Sequence, residues 1–197
     1  LFTLLYGIAF GDGPRRFFRD SDTGWHIRTG ERILAGDPLP RRDPYSFSKP
    51  GDPWFAWEWV SDVAMGAAHR AGGLRAVALL YAVAVGIAAW LWFRLHWAVD
   101  GNFFLACAMA APMLTTVQLH WLARPHVFGW LLCLIALLIF ETQPRSARWW
   151  HGPMMAALGM VWANVHASFV FLPACALLYA AGHLANGWLW GRQQAQW

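Results

Sequence analysis

Hydrophobic and polar positions divide this chain into two unlike parts. From residue 74 onward apolar runs dominate: 74–93 with Arg75 as its only charge, then 103–119, 127–140 and 154 to about 183. A helix that crosses a bilayer needs about 20 apolar residues, so the first run matches one crossing. The last is too long for one upright helix, and the polar stretch Asn164–Ser168 divides it into a span that enters and a span that returns. Ahead of these runs lies a polar stretch, residues 11–73, in which two helices are expected. The first begins at Asp22 or Thr23, both good N-cap types, and runs to about Ala35, where Gly36 supplies the stop. The prolines and glycines of "GDPLPRRDPYSFSKPGDP" then forbid a regular element. The second helix is expected to open at Asp52-Pro53 and to continue through "WFAWEWVSDVAMGAAHR" to Gly72-Gly73. Both carry tryptophans among scattered charges, which suits the membrane–water boundary. The pattern predicts an all-α protein: a polytopic membrane helical bundle with amphipathic helices in a long first external loop.

Composition agrees with this pattern. Of 197 residues, 58% are hydrophobic and only 13% charged, where a soluble domain has about 25% charged. The net charge of +4 comes from arginines in loops. No basic stripe is interleaved with a nucleic-acid motif, so a nucleic-acid partner is excluded and the lipid bilayer is the expected one. Cys107, Cys133 and Cys175 lie in apolar runs without metal-ligand spacing and read as small buried hydrophobes. Most of the fifteen tryptophans read as belt anchors at the bilayer edge, with a few left to stack on a sugar. Residues 1–10 are apolar but too short to cross. The expectation is one integral-membrane domain over residues 1–197, a fragment cut at both ends. Residues 1–10 would end a first transmembrane helix, 11–73 form the external loop, and 74–197 hold the transmembrane helices.

Arg145 and Arg148 place the loop "ETQPRSARWWHG" on the cytoplasmic side by the positive-inside rule. With residues 11–73 outside, alternation then brings "HWLARPH" and "NVHAS" to the external face as well. Three groups of polar residues therefore converge: Asp20, Asp22 and His26; His120, Arg124 and His126; Asn164 and His166. Ionisable groups at membrane depth are costly and mark sites or pathways.

Each group has a chemical and a plain reading. Asp20 and Asp22 suit a general base, and their D-x-D spacing suits a shared divalent cation. Equally, Asp22 caps a helix and Asp20 pairs with Arg19 or Arg16. His26, one turn beyond Asp22, is a metal or phosphate ligand, or bonds a nearby carbonyl. Glu58 and Asp62 are one turn apart on the second helix. They contact a sugar, a metal or a basic residue, or form a solvated face; Glu58, between Trp57 and Trp59, is the stronger candidate. Arg124 and His126 flank Pro125 at a helix start, and the arginine's fork suits phosphate or else snorkels to headgroups. Asn164 and His166 bind substrate or join helices.

Taken together, "DSDTGWHIRTGERILAGDPLPRRDPYSFS" and "PWFAWEWVSDV", with the later "ARPHVFGWLL" and "WANVHASF", resemble bacterial multi-span proteins related to the GT-C glycosyltransferase superfamily. The resemblance runs over nearly the whole chain and is most specific in the first loop. It implies transfer of a sugar from a polyprenyl-phosphate donor to an acceptor glycan, lipid or protein at the external (periplasmic) face of the bacterial inner membrane. The catalytic base, an acidic side chain that takes the acceptor's proton, would be Asp20 or Asp22. His26, Glu58, Arg124, His126, Asn164 and His166 would bind substrate. Some relatives use a divalent metal and others do not, so Mg or Mn at Asp20 and Asp22 is the cofactor to test. Two other classes carry the same cluster: a transporter or flippase for a lipid-linked solute, and a non-catalytic membrane assembly subunit.

Overall fold

A computed structural model describes residues 13–109, 118–142 and 149–190, and all regular structure among them is helical. Residues 1–10 and the middle of the 103–119 run, 110–117, lie outside the described residues. A short 3-10 helix, Gly13–Phe18, opens the described chain and buries Phe17; no cap or periodicity announces it.

Helix α1 spans Asp22–Leu34, as the sequence predicts, and Gly36 takes up a left-handed φ of 97° just past its end. Its start differs in detail. Asp22 is the first helical residue rather than the cap, and the Asp22 N–H donates to Asp20 Oδ1 at 2.9 Å. The acid two residues upstream therefore satisfies the exposed helix N–H, which frees the Asp22 carboxylate for another partner.

The connection after α1 is irregular, as its prolines require, but it is not loose. Asp43 accepts from the backbone of Tyr45 and Ser46, an Asx turn that sets up "DPYS". Tyr45 then stands among Trp25 and Trp54, with ring centroids 5.6–6.5 Å apart, and its hydroxyl bonds Thr29 Oγ1. These aromatics hold the connection against α1.

Helix α2, Trp59–Ala98, begins later than Asp52-Pro53. The reason is local pairing: the Asp52 carbonyl accepts from Asp43 N–H at 2.8 Å and Trp54 N–H donates to the Arg41 carbonyl at 3.0 Å. Those bonds keep 52–54 extended, and the helix waits for Glu58, whose carbonyl accepts from Asp62 N–H. The expected end at Gly72-Gly73 is a bend, not a stop. Gly73 has φ 63°, ψ −156°, which only glycine adopts at little cost. The first arm lies on α1; the second, from residue 74, is the expected span. The α1–α2 crossing is very close. A Cβ on Gly30 would sit 1.7 Å from the Asp62 carbonyl oxygen, and one on Gly66 2.5 Å from the Gly30 carbonyl carbon.

Helices α3 (His126–Thr142), α4 (His151–Val165) and α5 (Phe171–Trp190) follow. The predicted division of the long apolar run falls where it was expected: His166 is extended (φ −164°, ψ 146°) and a 3-10 turn, Ala167–Val170, leads into α5. One buried cluster joins Phe17, Ile27, Met65, Val77, Tyr81 and Val127, and a second joins Ala136, Trp162 and Leu172. Among the described residues two helical stretches, Trp59–Ala98 and Ala167–Leu189, are long and apolar enough to cross a membrane, and α3 is a shorter apolar helix. Leu177, Leu178, Leu184 and Trp188 on α5 are exposed. Such an apolar surface suits lipid rather than water and points to membrane association.

Two expectations need correction. Trp121 and Trp162 are buried, not belt anchors, and Trp162 Nε1 donates to Ser168 Oγ at 3.0 Å. Cys107 is exposed and Cys133 and Cys175 are half-buried, so none is the fully buried hydrophobe expected; all three are free thiols.

Candidate functional site

The segment before α3 is pinned to the start of α1 through Ala123. Its N–H donates to the Phe17 carbonyl at 2.8 Å and its carbonyl accepts from the buried Thr23 hydroxyl at 3.1 Å. With both backbone groups of Ala123 fixed, the next side chain is aimed at the α1 N-terminus. Arg124 there forks across two carboxylates, Nη1 to Asp20 Oδ2 at 2.9 Å and Nη2 to Asp22 Oδ2 at 2.8 Å. Asp20 is held below the usual carboxylate range by the Asp22 N–H and the Arg124 charge, against the opposing effect of partial burial. The partner expected in the plain reading, Arg19 or Arg16, is replaced by a residue 104 positions away.

A second set of bonds brings in the turn after α4. Trp59 Nε1 donates to Asn164 Oδ1 at 2.7 Å, and Ser61 Oγ donates to the Val165 carbonyl at 2.7 Å. Asn164 thus joins helices, the plain role weighed for it. These two bonds seat His166 beside Glu58, with Nε2 3.4 Å from Glu58 Oε1. The Ser168 N–H donates to His166 Nδ1 at 3.1 Å. Since Nδ1 accepts, the ring proton is on Nε2 and faces Glu58. Burial and the neighbouring His126, Arg124 and His26 charges push His166 down to about 4, so it is neutral at pH 7.

On the other side of Glu58 lies His26, fully buried. Its Nδ1 is 2.6 Å from Asp62 Oδ1, also fully buried. A carboxylate accepts, so Nδ1 carries a proton and donates to Asp62. Nε2 lies 3.9 Å from Glu58 Oε2 and has no hydrogen-bond partner among the described residues. Burial raises the Glu58 carboxyl above its ordinary value, opposed mainly by the His26 charge. His126 is at the margin: its Nε2 donates to the His120 carbonyl at 2.9 Å, and its ring is 6.4 Å from that of His166.

Of the residues expected at the site, Asp20, Asp22 and Arg124 form one ion cluster, and His26, Glu58 and His166 form another. Asp62 is the residue that sequence reasoning passed over in favour of Glu58. Its i, i+4 spacing from Glu58 was the available signal, but nothing in the sequence pairs it with His26. Gly129 of α3 makes room for the second cluster: a Cβ there would be 2.6 Å from Ser168 Oγ and 3.2 Å from His166 Nδ1. Replacing Gly129 with valine is expected to push His166 away from Glu58. Peptide mapping after diethylpyrocarbonate treatment should show faster carbethoxylation of His166 than in wild type; an unchanged rate would mean that α3 does not set its position.

The metal expectation is not supported by the donor set. Among the described residues no group of three or more His, Cys, Asp or Glu is placed to hold a metal ion. Both D-x-D carboxylates already face the guanidinium, a permanent cation that a divalent ion would have to displace. An open cavity of about 660 Å³ lies on the first loop, lined by Arg41, Pro53, Trp54, Phe55 and Trp57. No protein-family model matches the chain, and no curated protein or solved structure matches it.

Proposed function

We propose that this protein is a membrane glycosyltransferase that moves a sugar from a polyprenyl-phosphate donor to an acceptor hydroxyl at the external face of a bacterial inner membrane. The observation that carries the reading is the meeting of Arg124, held by Asp20 and Asp22, with a helical scaffold suited to lipid. A guanidinium gripped by two carboxylates is preorganised, and it keeps N–H groups beyond those two contacts for a phosphate oxygen. When the bond between the anomeric carbon and the phosphate oxygen breaks, that oxygen takes the electron pair, and a fixed cation stabilises it most in a site of low dielectric. In this reading Asp20 and Asp22 position the arginine. The aromatic cavity of Trp54 and Trp57 offers ring faces for a saccharide, and apolar helices take the polyprenyl tail.

The test is transfer of radiolabelled sugar from a panel of polyprenyl-phosphate sugars by the full-length protein in proteoliposomes. Arg124→Gln is expected to lower kcat about 100-fold or more, the scale of losing one preorganised donor, with Arg124→Lys intermediate. Solute passage without sugar transfer would instead identify a transporter or flippase. Unchanged function after joint replacement of Asp20, Asp22 and Arg124 would identify an assembly subunit.

A further inference from the structure

Resting on that reading, we propose that Glu58 is the general base of the transfer, with Asp62 and His26 as positioning residues behind it and His166 beside it. A buried ring nitrogen with no partner among the described residues stands beside the Glu58 carboxylate. Asp62 holds a proton on His26 Nδ1, and the other ring nitrogen, Nε2, lies 3.9 Å from Glu58 Oε2. That is too long for a hydrogen bond between them, and the buried Nε2 has no other partner among the described residues. Buried polar groups are almost always satisfied, and the exceptions often mark catalytic positions. An acceptor hydroxyl placed in the gap between Nε2 and Glu58 Oε2 lies against the carboxylate that takes its proton. The other Glu58 oxygen lies 3.4 Å from His166 Nε2, and the Ala167 N–H donates to the carboxylate.

The acids expected from sequence are less suited to the role. Asp20 has one oxygen on the Asp22 N–H and the other on Arg124, and Asp22 is paired with the same guanidinium. A carboxylate stabilised in its charged form is a weaker base. Glu58 is partly buried, and burial raises its carboxyl, which makes it the stronger proton acceptor. In the step, Glu58 takes the acceptor hydroxyl's proton and the hydroxyl oxygen forms a bond to the anomeric carbon. The bond from that carbon to the phosphate oxygen breaks, and its electron pair leaves with the polyprenyl phosphate, opposite Arg124. Glu58 then returns the proton to solvent.

The experiment uses the full-length protein in proteoliposomes with a donor that supports wild-type transfer. Glu58→Gln is expected to lower kcat about 100-fold or more while donor KM stays within about threefold. Wild-type kcat/KM should fall as pH drops through the Glu58 titration, and the residual rate of the Gln variant should lack that limb. The groups facing Glu58 are His26 on α1, Asp62 on α2, Arg124 before α3 and His166 after α4, so the limb is compared at constant ionic strength. Glu58→Ala should regain at least about tenfold activity with added formate, which a purely structural role would not give. Glu58→Asp, the variant that keeps the carboxylate, should retain the limb at reduced kcat. A Gln variant with more than a tenth of wild-type kcat and an unchanged limb overturns the assignment. So does a folded Ala variant that formate does not rescue. If the wild-type protein transfers sugar from no polyprenyl-phosphate donor, the transferase reading itself fails, and the role of Glu58 with it.

Discussion

Replacing Gly30 with alanine should cost the protein about 3 kcal/mol or more of stability, the upper range for forcing an extra group into a packed contact. The added methyl would lie 1.7 Å from the Asp62 carbonyl oxygen and 2.4 Å from its carbon. These are backbone atoms of α2, so no rotamer change relieves the clash, and α1 and α2 have to move apart. Gly66 is the reciprocal position, with a Cβ 2.5 Å from the Glu31 nitrogen, and Gly66→Ala should behave alike. Small residues at a crossing let helix backbones touch, and nothing in such a contact yields to an added methyl. Separation at this point would also draw His26 away from Asp62, because both lie on the two helices that cross there. Thermal unfolding of the full-length protein in detergent reads the loss directly. Gly24, with open space around it, is the control: Gly24→Ala should leave the midpoint close to wild type, and a drop at Gly30 no larger than at Gly24 would contradict the crossing geometry.

Asp62→Ala should be nearly as damaging, by about 3 kcal/mol, the upper end for leaving a buried donor without its acceptor. Asp62 and His26 are both fully buried and 2.6 Å apart. Without the carboxylate, His26 Nδ1–H loses its acceptor in a place water does not reach, and the ring loses the bond that fixes its tautomer. Asp62→Asn keeps an acceptor oxygen and should cost much less, about 1 kcal/mol. Equilibrium unfolding in detergent should rank the proteins wild type, Asn, Ala. Equal stability of the two variants would show that the hydrogen bond to His26 contributes little. The same pair also bears on the chemistry: in the Asn variant the ring is still present but held less firmly behind Glu58, so transfer should fall further than stability does.

The positions that escaped the sequence share a cause. Arg16 and Arg19 are the cations nearest Asp20 in the chain, yet its partner is Arg124. Nothing local forces that choice. It follows from Ala123 being fastened to Phe17 and Thr23, bonds that exist only after the chain has packed. The start of α2 was placed too early for a related reason. Asp52-Pro53 is a sound helix opening by local chemistry, but pairing with residues 41 and 43 keeps that stretch extended. In both cases a tertiary bond overrode a reasonable local preference.

The sequence alone determined the all-helical class, the bounds of α1, the break at His166 between α4 and α5, and the concentration of polar residues in three separate stretches. These follow from apolar periodicity, capping and stop residues, which act over a few positions and can be read along one strand of chain. Only the tertiary structure decided which side chains meet: Arg124 with Asp20 and Asp22, His26 with Asp62, and Glu58 between two histidines. Those pairings depend on how closely helices approach, and the approach is set by small residues such as Gly30, Gly66 and Gly129 whose spatial neighbours are far away in sequence. A glycine in a helix reads as a weakness until the backbone it touches is seen.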